Sequence, residues 1–279
     1  MKKKSYLIVL IILVCLVGVY LYMQNTSLQT VSYQIKTNTI PQNFHNYKII
    51  QISDYHNEKS KKLNHTLIKQ IKKEKPDMIV ITGDLVDSRR TDIDVSMKFI
   101  QSLKDIAPIY YVTGNHESRL SDYEVLEENL KKEGVHVCRN QSYIIDKEGQ
   151  SIQLMGIDDP QMAHEMGVED STIIDTQIDN SRKENIFTIL LSHRPEVFDT
   201  YVENKIDLVL TGHAHGGQIR IPFIGGIVAP HQGLFPQYDS GLYQQEKTHM
   251  IVSRGIGNSI FPLRVNNQPE LVVVTLQAK

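Results

Sequence analysis

The chain has 279 residues with 30 basic and 32 acidic side chains, which gives a formal net charge of −2 at neutral pH. Hydrophobic residues make up 41% and charged residues 22% of the chain. This composition is typical of a globular core and excludes a disordered or fibrous chain. The near-neutral balance argues against nucleic-acid binding through bulk charge. The two cysteines, Cys15 and Cys138, are too few for a disulfide framework or a zinc site built from several thiolates.

The N-terminus predicts a membrane anchor. Residues Tyr6 to Met23 form an apolar segment without a charge, and a helix of this length covers about 27 Å, close to the hydrocarbon thickness of a bilayer. Lysines at positions 2–4 precede the segment, whereas residues 24–35 contain no Lys or Arg. The positive-inside rule therefore predicts a single-pass protein of the cell membrane, with a cytoplasmic N-terminus and an extracytoplasmic domain. A cleaved signal peptide is the alternative, but residues 19–22 offer no small-residue cleavage site.

After a polar linker at residues 24–30, residues 31–279 are predicted to form one domain of alternating strands and helices. Apolar and polar side chains alternate from Val31 to Lys36, which is typical of a half-buried strand. Apolar runs typical of buried strands follow at 49–52, 78–81, 109–112, 152–157, 186–191, 208–210, 250–252 and 271–276. Helical periodicity appears at residues 63–71, 92–103 and 123–132. This alternation predicts a layered α/β fold.

Polar and metal-ligating side chains directly follow five of the predicted strands. They are Asp54 and His56; Gly83 and Asp84; Gly114, Asn115, His116 and Glu117; His193; and Gly212, His213 and His215. Because loops at the carboxyl ends of strands in an open α/β sheet converge on one crevice, we expect these residues to meet. Imidazoles mixed with carboxylate and amide oxygens suit Mn, Fe, Zn or Co. The ligands are too many for one ion, and two ions that share a carboxylate suit phosphoryl displacement.

This ordered set of motifs, which runs from residue 54 to residue 215, resembles that of the calcineurin-like metallophosphoesterases. Together with the N-terminal helix, it resembles the membrane-anchored bacterial branch of that family. The resemblance implies a four-layer α-β-β-α sandwich, with two central mixed sheets flanked by helices. It also implies an enzyme that hydrolyses phosphate monoester, phosphate diester or pyrophosphate bonds with a hydroxide bridging two divalent ions, here Mn, Fe or Zn.

Carried over position by position, the resemblance implies a role for each residue of the motifs. The first metal would be held by Asp54, His56, Asp84 and His215. The second metal would be held by Asp84, Asn115, His193 and His213, which makes Asp84 the bridging ligand. His116 would be the general acid or a stabiliser of the transition state, and Glu117 would orient or polarise it.

The remaining polar features are less specific. The histidines outside the motifs are interpreted as ordinary surface or packing residues: His45, His65, His136, His164, His231 and His249. Seven lysines between residues 59 and 75 are typical of a solvated helix face, with contact to anionic headgroups as the alternative. Arg254, Asn258 and Arg264 lie in a Gly- and Asn-rich segment and are predicted to contact a phosphate or a lipid headgroup. Crevice shaping and turn chemistry explain the pair Asp158–Asp159 equally well.

The sequence thus predicts a membrane-anchored phosphoesterase that acts on a phosphorylated small molecule or a lipid, in or near the membrane. One alternative is a UDP-diacylglucosamine-type glycolipid pyrophosphatase, which requires the domain to face the cytoplasm. The other is a non-catalytic metal-binding scaffold at the membrane, against which His116 and the complete ligand set argue. No nucleic-acid partner is expected, because the sequence shows no concentrated basic groove. The sequence does not fix the oligomeric state.

Overall fold

The N-terminal helix α1 is exposed over most of its length. The computed structural model describes residues 2–163, 166–183, 185–258 and 263–279, and α1 comprises Lys2–Thr26. Its segment Tyr6–Thr26 is long and apolar enough to cross a membrane, and no residue in its apolar window is buried. The first strand begins at Gln29, so the predicted linker at 24–30 is reduced to residues 27–28. His164 lies outside the described residues.

The described residues form sixteen strands and five further helices. The strands are β1 (Gln29–Thr37), β2 (Lys48–Ile52), β3 (Met78–Thr82), β4 (Ile109–Val112), β5 (His136–Val137), β6 (Gln141–Lys147), β7 (Gln150–Gly156), β8 (Thr188–Leu191), β9 (Leu208–Thr211), β10 (Arg220–Ile221), β11 (Gly225–Gly226), β12 (Val228–Ala229), β13 (Gly233–Leu234), β14 (Gly241–Gln245), β15 (Thr248–Val252) and β16 (Glu270–Ala278). The helices are α2 (Lys61–Glu74), α3 (Ile93–Leu103), α4 (Tyr123–Lys132), α5 (Asp170–Asp179) and α6 (Phe198–Glu203). Every predicted apolar run overlaps one strand.

The strands pair into two six-stranded mixed sheets. The first has the order β1-β16-β2-β3-β4-β5, and the second has the order β14-β15-β9-β8-β7-β6. Strands β2 to β5 run parallel, as do β7, β8, β9 and β15. The parallel strands of each sheet therefore end at the same edge of that sheet. The predicted ligands lie at this edge, because they come directly after these strands in the sequence.

Two helix starts are fixed by side-chain caps. The Ser60 hydroxyl accepts a hydrogen bond from the Leu63 amide at the start of α2, and the Asp92 carboxylate accepts one from Val95 at the start of α3. Both helices bury one apolar face, and in α2 this face consists of Leu63, Leu67 and Ile71. The helices are thereby fixed against the outer face of the first sheet.

Three hydrophobic cores separate four layers. The first core joins the first sheet to α2–α4 and contains Ile50 and Leu67. The second core lies between the two sheets and contains Ile49 and Leu208. The third core joins the second sheet to α5 and α6 and contains Leu190. Neighbouring residues such as Ile49 and Ile50 face opposite cores. Both faces of these strands are therefore buried, and their sequences are continuous apolar runs. The predicted four-layer α-β-β-α sandwich is confirmed.

Two short hairpins lie between β9 and β14, outside the main sheets. β10 pairs with β11, and β12 pairs with β13. The apolar-run pattern does not predict them, because each strand has only two residues.

Candidate metal centre

The predicted ligands lie in loops that follow β2, β3 and β4 of the first sheet and β8 and β9 of the second. Backbone contacts tie these loops together across the sheets. The Asp54 amide donates to the Gly83 carbonyl at 3.1 Å, and the His213 amide donates to the Asp54 carboxylate at 3.2 Å. The Gly212 amide donates to the carbonyl of His193 at 3.2 Å. Residues far apart in the sequence are therefore held in one crevice.

Two glycines allow this close approach. Gly83 has a φ of +87°, and a Cβ at this position would lie 2.6 Å from the imidazole of His193. A Cβ on Gly114 would overlap the carboxylate of Asp84. Larger residues at either position would push apart the side chains that the crevice brings together.

The four residues predicted for the first metal meet at one point. One ligating atom from each of Asp54, His56, Asp84 and His215 lies within 4.8 Å of the others, and all four residues are buried. The Nε2 atom of His215 lies 3.2 Å from Asp54 Oδ1 and 3.2 Å from His56 Nε2. His56 Nε2 in turn lies 3.6 Å from Asp84 Oδ2. These contacts place two carboxylates and two imidazoles around a common centre.

The residues predicted for the second metal adjoin the first group through Asp84. The Nδ1–H of His193 donates to the Thr82 carbonyl at 2.7 Å, so Nε2, which lies 3.4 Å from Asp84 Oδ2, is the ring nitrogen left to bind a metal once it is deprotonated. Asn115 lines the same cavity as Asp84 and His213. This arrangement lets the Asp84 carboxylate face both groups.

Five buried nitrogen and oxygen atoms in these groups have no hydrogen-bond partner among the described residues. They are Asp54 Oδ1, Asn115 Oδ1, His193 Nε2 and the Nδ1 atoms of His56 and His215. An unsatisfied buried acceptor costs about 1–3 kcal/mol, and such atoms are rare unless an ion or water satisfies them. Oxygen and imidazole nitrogen acceptors together fit a borderline divalent cation.

The charges of the cluster also favour a cation. Burial raises the pKa of Asp54 to about 6. Burial opposes a charge on His193 too, but without a bound cation the neighbouring carboxylates outweigh it and raise its pKa to about 10, so a cation that binds Nε2 would displace a proton. Burial lowers the pKa of His56 to about 4 and holds the pKa values of His213 and His215 well below the ordinary value. These last three imidazoles are therefore neutral at neutral pH, the form in which histidine binds metals.

The ring of His213 is oriented by a buried arginine. Arg194 Nη1 donates to His231 Nδ1 at 2.9 Å, so this His231 nitrogen is an acceptor. His213 Nε2 lies 2.9 Å from the same nitrogen and 3.3 Å from Arg194 Nη1, so Nε2 is engaged within this group and Nδ1 is the ring nitrogen left for a metal. Arg194 Nη1 also lies 3.3 Å from Glu196, so the Glu196–His213–His231 group already surrounds a cation.

His116 lies beside the first group with its ring held in one tautomer. The Ser88 amide donates to His116 Nδ1 at 3.0 Å. Because a backbone N–H group can only donate, Nδ1 is the acceptor in this contact. This contact is shorter than the 3.4 Å between Arg89 Nη2 and His116 Nε2, and it favours the neutral tautomer with its proton on Nε2, which lies 3.9 Å from Asp84 Oδ2. Burial lowers the pKa of His116. The ring is thus set up to donate a hydrogen bond toward the crevice.

Glu117 has a different role from the predicted one. Its carboxylate accepts hydrogen bonds from the backbone amides of Asp84, Val86 and Gly114 at 2.8, 3.2 and 2.6 Å. Burial, followed by the charge of Asp84, raises the pKa of Glu117 to about 8. Glu117 therefore ties the loop after β3 to the loop after β4, whereas Ser88 orients the His116 ring.

The two arginines predicted to contact the phosphate form hydrogen bonds and an ion pair with other residues of the protein. The guanidinium of Arg264 is buried and donates to the Arg254 carbonyl at 3.0 Å and to Asn258 Oδ1 at 3.1 Å. The Arg254 guanidinium pairs with Glu270 at 2.9 Å. Both side chains shape the loop, which corrects their predicted role. Asn258 lines a cavity beside His56, and its contact with substrate stays a prediction.

Sequence reasoning missed the cations that do line the crevice. Arg89 and Arg119 line the cavity that contains Asn115 and His116. Arg89 Nη2 lies 3.4 Å from His116 Nε2. The double arginine that begins at Arg89, shortly after Asp84, was the signal in the sequence. His231, interpreted as an ordinary residue, also lines this cavity.

The pair Asp158–Asp159 shapes the crevice through two ion pairs, of which the one made by Asp159 is fully buried. Asp159 binds Arg194 at two points, with Oδ2 2.5 Å from Nε and Oδ1 3.0 Å from Nη2. Both partners are buried. Asp158 accepts from Arg139 and from Thr113 at 3.0 Å each. The conformation of this turn is therefore fixed by charge pairing with residues outside the turn.

Asp159→Ala is expected to lower the free energy of unfolding by about 3–5 kcal/mol, because it leaves the Arg194 charge buried without its main partner. The measurement is urea unfolding of the full chain in detergent. Asp170→Asn is the matched control, since this carboxylate is partly exposed and lies 3.8 Å from Arg194, and it should cost less than about 1 kcal/mol. Equal losses for the two variants would contradict the assignment.

The layers and the cluster of convergent carboxylates and imidazoles define a metal-dependent hydrolase. The profile of the family described as calcineurin-like phosphoesterase matches residues 47–217, more than half of the chain. The chain therefore belongs to the calcineurin-like phosphoesterase family, and it is a metallophosphoesterase. This confirms the resemblance noted in the sequence.

Individual relatives agree with this assignment. The chain is 31% identical to YkuE of Bacillus subtilis, described as an uncharacterized metallophosphoesterase, over 92% of this chain and 88% of that protein. It is 25% identical to a Danio rerio protein described as a transmembrane protein with metallophosphoesterase domain, over 89% of this chain and 57% of that protein. The crystal structure of TT1561 from Thermus thermophilus shares the fold, with a TM-score of 0.52 and 13% identity over 75% of this chain and 89% of that one.

Proposed function

We propose that this metallophosphoesterase is anchored in a membrane by α1 and uses two divalent ions to hydrolyse phosphate mono- or diesters, or pyrophosphates, at the membrane surface. The observation that supports it most directly is the set of unpartnered acceptors around Asp84, on Asp54, Asn115 and His193. A cluster with these unmet acceptors is suited to bind cations and, through them, an anionic substrate.

The ligand sets follow from the two groups. Asp54, His56, Asp84 and His215 would hold the first ion, and Asp84, Asn115, His193 and His213 would hold the second. When bound, such ions supply Lewis-acid activation of water and neutralise the charge of the phosphate. Mn, Fe and Zn all suit this mixture of oxygen and nitrogen donors.

Three side chains of the protein would act directly on the substrate. His116 donates its Nε2 proton in a hydrogen bond to a phosphate or leaving-group oxygen. Arg89 and Arg119 line the same cavity and supply the charge that fixes phosphate oxygens. Glu117 holds the loops that carry these groups in position.

The anchor rests on the length and composition of α1. Residues Tyr6–Thr26 form an apolar span, and three lysines precede it. This pattern supports a cytoplasmic N-terminus and an extracytoplasmic domain. A substrate in the outer face of the membrane, such as a phospholipid or an envelope precursor, follows from this orientation. An inward-facing domain would instead favour the glycolipid pyrophosphatase.

The proposed chemistry is tested by metal removal and return. We expect the full chain in detergent to lose turnover of chromogenic phosphate mono- and diesters after chelation and to regain it with Mn, Zn or Fe. We also expect elemental analysis of the restored protein to find two ions per chain, since the ligands form two groups around Asp84. A chelated protein with undiminished turnover, or one that retains no metal, would contradict the proposal.

A further inference from the structure

The end of α1 is fixed to one loop of the domain. The side chain of Asn25 exchanges two hydrogen bonds with the backbone of Arg264, at 2.9 and 3.2 Å. The Asn267 amide donates to Gln24 at 3.2 Å, and the Tyr20 hydroxyl donates to the side chain of Asn266. The loop at residues 264–267 therefore lies level with the last two turns of the apolar helix. In a spanning helix, these turns lie at the membrane interface, where tyrosine is enriched.

The first short hairpin is attached to this same loop. The Arg220 amide donates to the Val265 carbonyl at 3.0 Å, and Asn266 donates back to the Arg220 carbonyl at 3.1 Å. At the tip of this hairpin, Phe223 is fully exposed and Ile224 is 63% exposed. The tip thus lies close to the level at which α1 would leave a bilayer.

The second hairpin also exposes large apolar side chains. The Phe235 amide donates to the carbonyl of Ile227, which joins the two hairpins, at 2.8 Å. Leu234 is 70% exposed and Phe235 is 63% exposed. Large apolar side chains grouped on a surface mark an interaction site.

Both exposed phenylalanines of the hairpins have an unfavourable backbone conformation. Phe223 has a φ of +69° and Phe235 a φ of +54°. Hairpin turns normally place Gly, Asn or Asp at positive φ, because a bulky side chain is strained there. Strain of this kind persists where the side chain has a separate use. In this case the side chains face outward and add nothing to the hydrophobic cores.

We propose that Phe223, Ile224, Leu234 and Phe235 insert into the interfacial layer of the bilayer that α1 crosses, as a second membrane contact. We call these four residues the apolar hairpin patch. This inference rests on the membrane anchor of the proposed function and extends it. A bilayer is favoured as the occupant because the patch is fixed, through the loop at 264–267, to the end of a membrane-length apolar helix.

Basic side chains flank the other side of α1 and fit anionic lipid. The Lys62 ammonium lies 5.5 Å from the centre of the Tyr22 ring, so the start of α2 adjoins the end of α1. Lys59 and Lys61, both nearby in sequence, are not buried. Lysines beside a span are attracted to anionic headgroups. The basic stretch of the sequence therefore has one end directed at the proposed membrane surface.

The patch is also connected to the metal centre. The Ile227 amide donates to the carbonyl of Gly217, two residues after His215. The turn of the second hairpin carries His231, which contacts His213. Insertion of the patch would therefore hold the mouth of the crevice at headgroup depth, where a lipid phosphate lies.

The chain contains no tryptophan, so a single introduced tryptophan reports its own environment. Phe223→Trp tests the patch, Leu13→Trp in the middle of α1 tests the anchor, and Ile144→Trp on the edge strand β6 is the control. Each full-length variant is reconstituted into phosphatidylcholine–phosphatidylglycerol vesicles with brominated acyl chains. We expect Phe223→Trp and Leu13→Trp to lose about half of their emission relative to unbrominated vesicles, and Ile144→Trp to lose none.

The outcomes separate the two hypotheses. Quenching of Leu13→Trp without quenching of Phe223→Trp would overturn the insertion of the patch and leave the anchor intact. An unquenched Leu13→Trp would overturn both. Quenching of all three would also overturn the inference, because it would show that the lipid reaches β6 and that the contact is not confined to the patch.

Discussion

Asp84→Asn is expected to lower kcat/KM by about 10³-fold or more and to reduce the bound metal from two ions to at most one. Asp84 Oδ2 lies 3.4 Å from His193 Nε2 and 3.6 Å from His56 Nε2, so one carboxylate serves both groups. Asn removes its charge but keeps the oxygen that accepts the His116 amide at 2.8 Å. The loops therefore keep their backbone contact, while two metal sites lose a shared anionic ligand.

The measurements are elemental analysis and turnover of a chromogenic diester by the full chain. Asp105→Asn is the matched control, because it makes the same chemical change at an exposed position after α3. Its kinetics and metal content should equal those of the unmodified chain. If Asp84→Asn kept two ions and lost less than about tenfold in kcat/KM, the bridging assignment would be wrong.

The convergence of the candidate ligands was predictable because their positions depend on a simple rule of chain geometry. Asp54, Asp84, His193 and His215 each follow a buried parallel strand, and the carboxyl ends of such strands share an edge of the sheet. The rule needs only the strand ends, which apolar runs reveal. Convergence of the crevice follows without knowledge of any loop conformation.

The roles of Glu117 and the arginines were not predictable in this way. Glu117 follows His116 in sequence, yet its carboxylate turns to amides of two other loops. Arg264 and Arg89 are chemically identical, but one meets carbonyl groups inside a loop and the other lines the crevice. Which partner a long side chain reaches depends on the path of the loop, and a local sequence pattern does not encode that path.

His116→Ala is expected to lower kcat by about 10²–10³-fold, the usual loss of one hydrogen-bond donor to a transition state. The amide of Ser88 holds His116 Nδ1 as an acceptor, so the ring donates from Nε2 as a neutral imidazole. A neutral donor stabilises phosphate charge but transfers no proton. The loss should therefore be similar for p-nitrophenyl and phenyl esters, although phenolate is by far the poorer leaving group.

A glutamine at this position separates the two roles of His116. Its amide can accept from the Ser88 amide and donate toward the crevice, but it cannot act as an acid. His116→Gln should therefore recover a large part of the activity that His116→Ala loses, while His65→Ala, an exposed change on α2, should have no effect. A much larger loss on the phenyl ester, with His116→Gln as inactive as His116→Ala, would show that the ring transfers a proton. The contact of Ser88 with Nδ1 would then have to break during turnover, because an imidazolium carries hydrogen on both nitrogens.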